Sequence, residues 1–174
     1  KNDDAREVLA AARGFHAWDM TSPEAPDSLV EYVFPYFHDA TIRNGKIYGG
    51  AINEGGRFDI VRVSDLPVTN TVATVTYPTG RSHGTALSDN SQYCYVTDEL
   101  STFGSARVFD ISDTSDIIQV AGFPGVAGTS VHNIAVQNDT MYCGWYEAGV
   151  RLFDCTNPES PVLVKTYTTT FITS

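Results

Sequence analysis

Three of the four histidines in the 174-residue chain recur with a rhythm: His38, His83 and His132 lie 45 and 49 residues apart. A few residues after each comes a pair that tolerates the positive φ of a tight hairpin, Asn44-Gly45, Asp89-Asn90 and Asn138-Asp139. Residues equidistant from a hairpin turn face each other across the ladder. Midpoints at 45.5, 90.5 and 139.5 then pair His38 with Asn53, His83 with Asp98 and His132 with Glu147. Neutral imidazoles oriented by such acceptors are how proteins present nitrogen to Zn, Cu or Mn. His38, His83 and His132, with Asp98 and Glu147 as further ligands or orienting partners, are therefore the candidate metal set. The competing reading is structural, a repeated histidine that closes a loop between repeat units by hydrogen bonding. Metal–nitrogen bonds of about 2.0–2.1 Å admit the first reading only if the elements bring the rings within a few ångströms of each other.

Those elements read as strands. Tyr, Phe, Val and Thr come in short bursts separated by Gly, Asn, Asp and Pro, too closely spaced for ordinary helices between them. After each histidine runs a first strand, then the turn pair, then a second strand: 46–51, 92–97 and 141–146. A glycine-containing loop leads to third strands at 58–63, 106–111 and 150–155, which end in turns rich in Asp, Ser and Thr. Fourth strands follow at 71–77, 117–123 and 162–167. Four antiparallel strands in a repeat of roughly 40 to 50 residues is the period of a β-propeller blade.

The N-terminal stretch enters the same frame at its second strand. Gly14-Phe15-His16-Ala17-Trp18-Asp19 matches Gly149-Val150-Arg151-Leu152-Phe153-Asp154, and Ser22-Pro23-Glu24-Ala25-Pro26 matches Asn157-Pro158-Glu159-Ser160-Pro161. Residues 3–12 are rich in helix formers. The frame nevertheless predicts a strand from Glu7 to Ala12, with tertiary pairing overriding propensity. His16 falls in the slot of Arg151, which predicts a partly exposed strand residue. The expected fold is all-β: a propeller of four-stranded antiparallel blades with about 3.75 blades present. The blades run from 7 to 34 (partial), 38 to 77, 83 to 123 and 132 to 171.

In such a fold the first strands line a central channel, so the histidines should converge on one face. Ligands bind propellers at the channel mouth, where the loops between blades and between second and third strands lie. Asn53, Glu99, Trp145 and Tyr146 fall on that face as candidate contacts, the aromatic pair suited to a sugar or peptide. Glu99 and Glu147 could also ligate Ca²⁺, although the chain has no Asp-x-Asp-x-Asp loop. Asp19, Asp110 and Asp154 each precede Ser or Thr by two at a strand end, where a carboxylate caps a turn.

The segments Tyr93-Cys94-Tyr95-Val96-Thr97-Asp98-Glu99, Arg107-Val108-Phe109-Asp110-Ile111-Ser112-Asp113 and Gly144-Trp145-Tyr146-Glu147-Ala148-Gly149-Val150-Arg151-Leu152-Phe153-Asp154 carry a further implication. They resemble the LVIVD-repeat propellers, in particular the choice-of-anchor B group of secreted or surface-anchored bacterial proteins. The likeness runs from about Glu7 to Phe171. It implies a propeller that is extracellular, at the cell surface or periplasmic. It supplies no reaction, because that family is defined by its repeats.

An open ring leaves backbone groups unpaired and one apolar blade face in water. The expectation is that the chain is part of a ring of roughly six to eight blades. The alternatives are a four-blade ring closed by Thr168–Ser174, or two chains sharing one ring. A net charge of −10, from 11 basic and 21 acidic residues, disfavours nucleic acid as a partner. No stretch is apolar for long enough to span a membrane as a helix. The chain lacks a Gly-x-Ser-x-Gly elbow, a P-loop, a dinucleotide fingerprint and a His-Glu-x-x-His motif. Cys94, Cys143 and Cys155 are expected as buried free thiols, because equivalent positions in adjacent blades lie beyond disulfide reach. Asn138-Asp139-Thr140 is a glycosylation sequon, meaningful only in a eukaryotic secretory host. Two functions follow from these features. One is an extracytoplasmic binding module for a protein or glycan ligand, or for a larger assembly completing the ring. The other is a metal-binding propeller or metalloenzyme with one histidine per blade.

Overall fold

The computed structural model describes residues 6–11 (backbone only), 14–33, 35–63, 70–99, 104–123 and 125–168. Ala12 and residues 169–174, to which the sequence assigns a strand end and a ring-closing segment, lie outside the described residues. The chain divides into two compact units, Lys1–Ser82 and His83–Ser174.

The first unit contains a three-stranded and a four-stranded antiparallel sheet. β1 (Arg6–Ala11), β2 (Gly14–Asp19) and β3 (Asp27–Tyr32) lie in that order, as do β4 (Asp39–Arg43), β5 (Lys46–Gly50), β6 (Gly56–Arg62) and β7 (Asn70–Tyr77). The helix-favouring N-terminal stretch is a strand, paired from Arg6 opposite Asp19 to Ala11 opposite Gly14. Here ladder hydrogen bonds outweigh helix propensity. Phe15 and Ala17 of the first sheet are fully buried and share a core with Phe37, Ile47 and Val61. The Phe15 ring stacks on Phe37 at 5.9 Å and on Tyr32 at 4.9 Å.

The second unit contains two four-stranded antiparallel sheets. The first runs β8 (Ser82–Leu87), β9 (Tyr93–Asp98), β10 (Ala106–Asp110), β11 (Ile118–Phe123). The second runs β12 (Ile134–Gln137), β13 (Thr140–Trp145), β14 (Gly149–Asp154), β15 (Val162–Tyr167). Their shared core holds Tyr95, Ala106, Val108 and Phe123 from one sheet and Met141, Cys143, Trp145 and Phe153 from the other. Phe123 and Phe153 meet edge to face at 4.5 Å, a favoured geometry for aromatic quadrupoles.

A structural repeat confirms the one in the sequence. Every sheet carries a register shift between its last two strands, at Ala17/Trp18, Ile60/Val61, Val108/Phe109 and Leu152/Phe153. One extra residue there bends and twists the outer edge of each blade. Three of the third strands end in carboxylate-capped turns, with Thr21, Ser112 and Thr156 donating their backbone N–H to Asp19, Asp110 and Asp154 at 2.8, 2.9 and 2.9 Å. Hydrogen bonds from the Ser112 and Thr156 hydroxyls, and then from these backbone N–H groups, hold the carboxyls of Asp110 and Asp154 below their ordinary range. Glycine is required where the third strand opens. Gly14 (φ 108°) and Gly149 (φ 80°) occupy backbone that side chains avoid, and a Cβ at either would collide with the carbonyl oxygen of Tyr32 or Tyr167.

The bulge also identifies equivalent positions. Ala106 and Val108 are fully buried, whereas their counterparts Val150 and Leu152 are 38% exposed and half-buried. Val162, Leu163, Val164 and Tyr167 on β15 are exposed as well.

Candidate functional site

The hairpins decide where the candidate residues go. Asn44 and Gly45 have φ of 52° and 65°, and Asn138 and Asp139 have φ of 50° and 53°, so both pairs form the two-residue turns expected of them. Their ladders, however, are centred at 44.5 and 138.5: Arg43 lies opposite Lys46 and Gln137 opposite Thr140. Moving the centre by one residue moves each partner by two. The expected pairs His38–Asn53 and His132–Glu147 are thereby overturned, and the His38 and His132 backbone N–H groups bond the carbonyls of Gly50 and Gly144 at 2.9 and 2.8 Å. Asn53 and Glu147 sit instead, exposed, in short 3-10 turns, Ile52–Glu54 and Tyr146–Ala148. The remaining hairpin turns through four residues. Ser91 alone has positive φ there, at 58°, and its N–H bonds the Ser88 carbonyl at 2.8 Å, so Asp89-Asn90 is not the left-handed pair expected.

The Ser88 N–H bonds the Tyr93 carbonyl at 3.0 Å and the Gly84 N–H bonds Thr97 Oγ1 at 3.0 Å, which keeps this ladder centred at 90.5, so Asp98 lies across from His83 as expected. It is fully buried, with Oδ2 receiving Arg107 Nε at 2.8 Å and Ser105 Oγ at 3.4 Å. The second blade contains a related pair, in which Arg57 grips the fully buried Asp59 through two hydrogen bonds of 3.0 and 2.8 Å. That carboxylate raises the pKa of Arg57. In the fourth blade Arg151 lies 4.9 Å over the Trp145 ring. Arginine on the third strand thus recurs as a packing element. Trp145 is fully buried in the core rather than presented on a binding face. Strand alternation puts it on the side of Met141 and Cys143, which places it among core residues.

In the first unit, His38 is exposed and its Nδ1 lies 2.9 Å from the Tyr36 hydroxyl. His16 is half-buried, 2.7 Å from Ser28 Oγ and stacked on Trp18, a strand residue as expected.

The second unit brings four candidates together. His83, at the start of β8, is 3% exposed. His132 precedes β12, Glu99 follows β9, and Tyr146 opens the 3-10 turn after β13. The His83 and His132 rings lie 4.4 Å apart at 46°. Glu99 stands between them, with Oε2 at 3.5 Å from His83 Nε2 and Oε1 at 3.8 Å from His132 Nε2. The Tyr146 hydroxyl donates to Glu99 Oε1 at 2.5 Å, and its ring lies 5.1 Å from that of His132. Hydrogen bonding to Glu99, then desolvation, then the charges of Glu99 and Glu147 push the Tyr146 phenol up to about 12. Beside this cluster opens a cleft of about 360 Å³ lined by Glu99, Gly128, Thr129, Ser130, Tyr146 and Glu147.

Sequence reasoning named all four residues but assigned Glu99 no histidine. Arg107 holds Asp98 at 2.8 Å, and the next carboxylate along the chain, Glu99, is the one that stands between the two imidazoles. The cysteines are free and buried, as expected. Burial pushes Cys143 up to about 12 and Cys155 to about 11, and also raises Cys94.

Bulged four-stranded antiparallel blades, with functional groups where the first strands begin, define the chain as a β-propeller. No protein-family model matches it, and no curated protein matches its sequence. Solved structures match its fold. The β-propeller domain of Cps50 (Swd1) from Myceliophteria thermophila shares 13% identity over 94% of this chain and 55% of its own, with a TM-score of 0.70. The computationally designed protein Ika8 shares 12% over 96% of this chain and 47% of its own, at 0.68. Raptor from Chaetomium thermophilum shares 13% over 96% of this chain and 16% of its own, at 0.71. The chain therefore spans about half the length of the first two. Among the described residues no helix is long and apolar enough to cross a membrane.

Proposed function

We propose that the chain is the ligand-binding part of an extracytoplasmic propeller of the LVIVD-repeat, choice-of-anchor B-like kind. Its binding surface is the rim formed in the second unit by Glu99, His132, Tyr146 and the Gly128–Ser130 loop. One observation carries this reading: a carboxylate, two imidazoles and a phenol converge beside a 360 Å³ cleft at one end of two adjacent blades. A concave site with a few convergent polar groups is the usual form of a ligand pocket. The remote repeat positions carry packing groups, with Arg107–Asp98 and the aromatic core fixing the strands that hold the rim.

The cleft's lining suits a glycan. Exposed Tyr146 offers a face for a sugar ring, and Glu99, Glu147, Thr129 and Ser130 offer hydrogen-bonding groups. Titrating the chain with a panel of oligosaccharides while recording amide spectra tests this. Shifts confined to Gly128–Ser130 and Tyr146–Ala148 and abolished by Tyr146→Ala support the reading, and saturable binding mapped to β15 instead would overturn it. Fractionation of the native cells tests the compartment. Recovery with the envelope or medium is expected, and recovery with the cytosol alone would refute an extracytoplasmic role.

A further inference from the structure

We propose that His83 Nε2, His132 Nε2 and the Glu99 carboxylate form a binding site for one divalent transition metal ion of the Zn²⁺ class. An open coordination position faces the adjacent cleft. The inference deepens the rim reading above and rests on it for what the open position would meet.

The geometry carries it. The nitrogen–oxygen separations of 3.5 and 3.8 Å are longer than an ordinary N–H···O bond of about 2.7–3.2 Å. They lie near the ligand–ligand edge of roughly 3.4 Å that tetrahedral bonds of about 2.0–2.1 Å produce. The two rings approach to 4.4 Å between centroids, so both imidazoles border the same carboxylate. Two imidazoles with a carboxylate able to supply one or two oxygens suit a four- or five-coordinate ion. The donor set of two imidazoles and a carboxylate leaves a position for water or an incoming ligand, as zinc sites with three protein ligands do.

The surroundings fit that use. Tyr146 donates its hydroxyl proton to Glu99 Oε1, holding the carboxylate in place as the outer partners of metal ligands do. His83 is almost entirely buried, whereas His132 is 39% exposed in its side chain, so one ligand is fixed and the other borders the opening. The cleft of about 360 Å³ begins at the same Glu99 and gives the ion a path to solvent. A bound cation would also offset the local negative charge of Glu99 and Glu147.

The test is titration of the metal-free chain with Zn²⁺ by calorimetry, with metal content measured after dialysis and Co²⁺ absorption as a reporter of coordination. One equivalent bound at micromolar affinity or tighter is expected. Glu99→Gln and His132→Ala should each weaken it by more than about 100-fold, and Tyr146→Phe by roughly 10- to 100-fold. His16→Ala, in the other unit, should leave it unchanged. Thermal unfolding of each variant shows whether it is folded, and Tyr146→Phe, which removes an exposed hydroxyl, keeps the test open if another variant fails. Less than one equivalent bound, or weak binding at several sites indifferent to these substitutions, would overturn the proposal. The two readings fail separately. Glycan shifts at Gly128–Ser130 without metal binding would end this inference alone, and metal binding with no ligand at the rim would end only the rim reading.

Discussion

Replacing Arg107 by leucine would strand a buried charge. Asp98 is 0% exposed, and its Oδ2 lies 2.8 Å from Arg107 Nε and 3.4 Å from Ser105 Oγ. Removing one partner of a buried ion pair costs about 3–5 kcal/mol, because the remaining charge keeps its desolvation penalty. The reverse change, Asp98→Leu, should cost less, about 1–2 kcal/mol, since the Arg107 side chain is 18% exposed and can swing its head toward water. With both replaced, no charge is left behind, and the double variant should lie within about 1–2 kcal/mol of the parent. Urea unfolding of all four proteins completes the cycle. At a slope of about 1–3 kcal/mol per molar, Arg107→Leu should lower the midpoint by at least about 1 M. A loss below about 1 kcal/mol for Arg107→Leu, or additive single effects, would refute the claim that this pair is coupled and desolvated.

Four further outcomes are expected. Ala106→Asp should destabilise the chain by about 3–5 kcal/mol, while Val150→Asp, at the equivalent but exposed position, should cost under about 1 kcal/mol in the same unfolding assay. Tyr146 has a raised phenol pKa, so the stability tied to it is present below pH 10 and lost as pH rises toward about 12. Ultraviolet titration against Tyr146→Phe should show that high midpoint, and Glu99→Gln should move it down toward 10. Asp110 and Asp154 have lowered pKa values, so their turns support the fold above about pH 3.8 and lose that support as pH falls further. Acid titration of Asp154→Asn should therefore show a shallower loss of stability than the parent. Cys94, Cys143 and Cys155 should resist thiol reagents at neutral pH in the folded chain and react at once in denaturant.

Turn chemistry made most of the strands legible. Asn-Gly and Asn-Asp between alternating apolar runs can do little else than reverse the chain, and Asp-x-Ser/Thr marks the ends of third strands. The match of residues 14–26 to residues 149–161 outweighed the helix propensity of residues 3–12, and β1 follows the repeat. Register was harder to read. A turn's residue types locate the reversal but not its centre, and an error of one residue misplaced Asn53 and Glu147 by two. Ser91 takes the left-handed position in the four-residue turn of the third blade, and serine gives little notice of it. The histidine rhythm pointed to a true cluster of His83 with His132. The carboxylate between the two rings is Glu99, which cross-strand pairing does not single out because Asp98, its neighbour in sequence, takes the position opposite His83. Trp145 was placed at the rim by proximity to Tyr146, although its strand position belongs to the core.

The central claim is that two consecutive blades deliver their first-strand histidines to one point. Proton–proton Overhauser spectra of the chain with assigned imidazoles test it without any ligand or variant. The account predicts a cross-peak between the ring protons of His83 and His132, whose centroids are 4.4 Å apart, together with one from His132 to the ring of Tyr146. Fully assigned rings with neither cross-peak would contradict it.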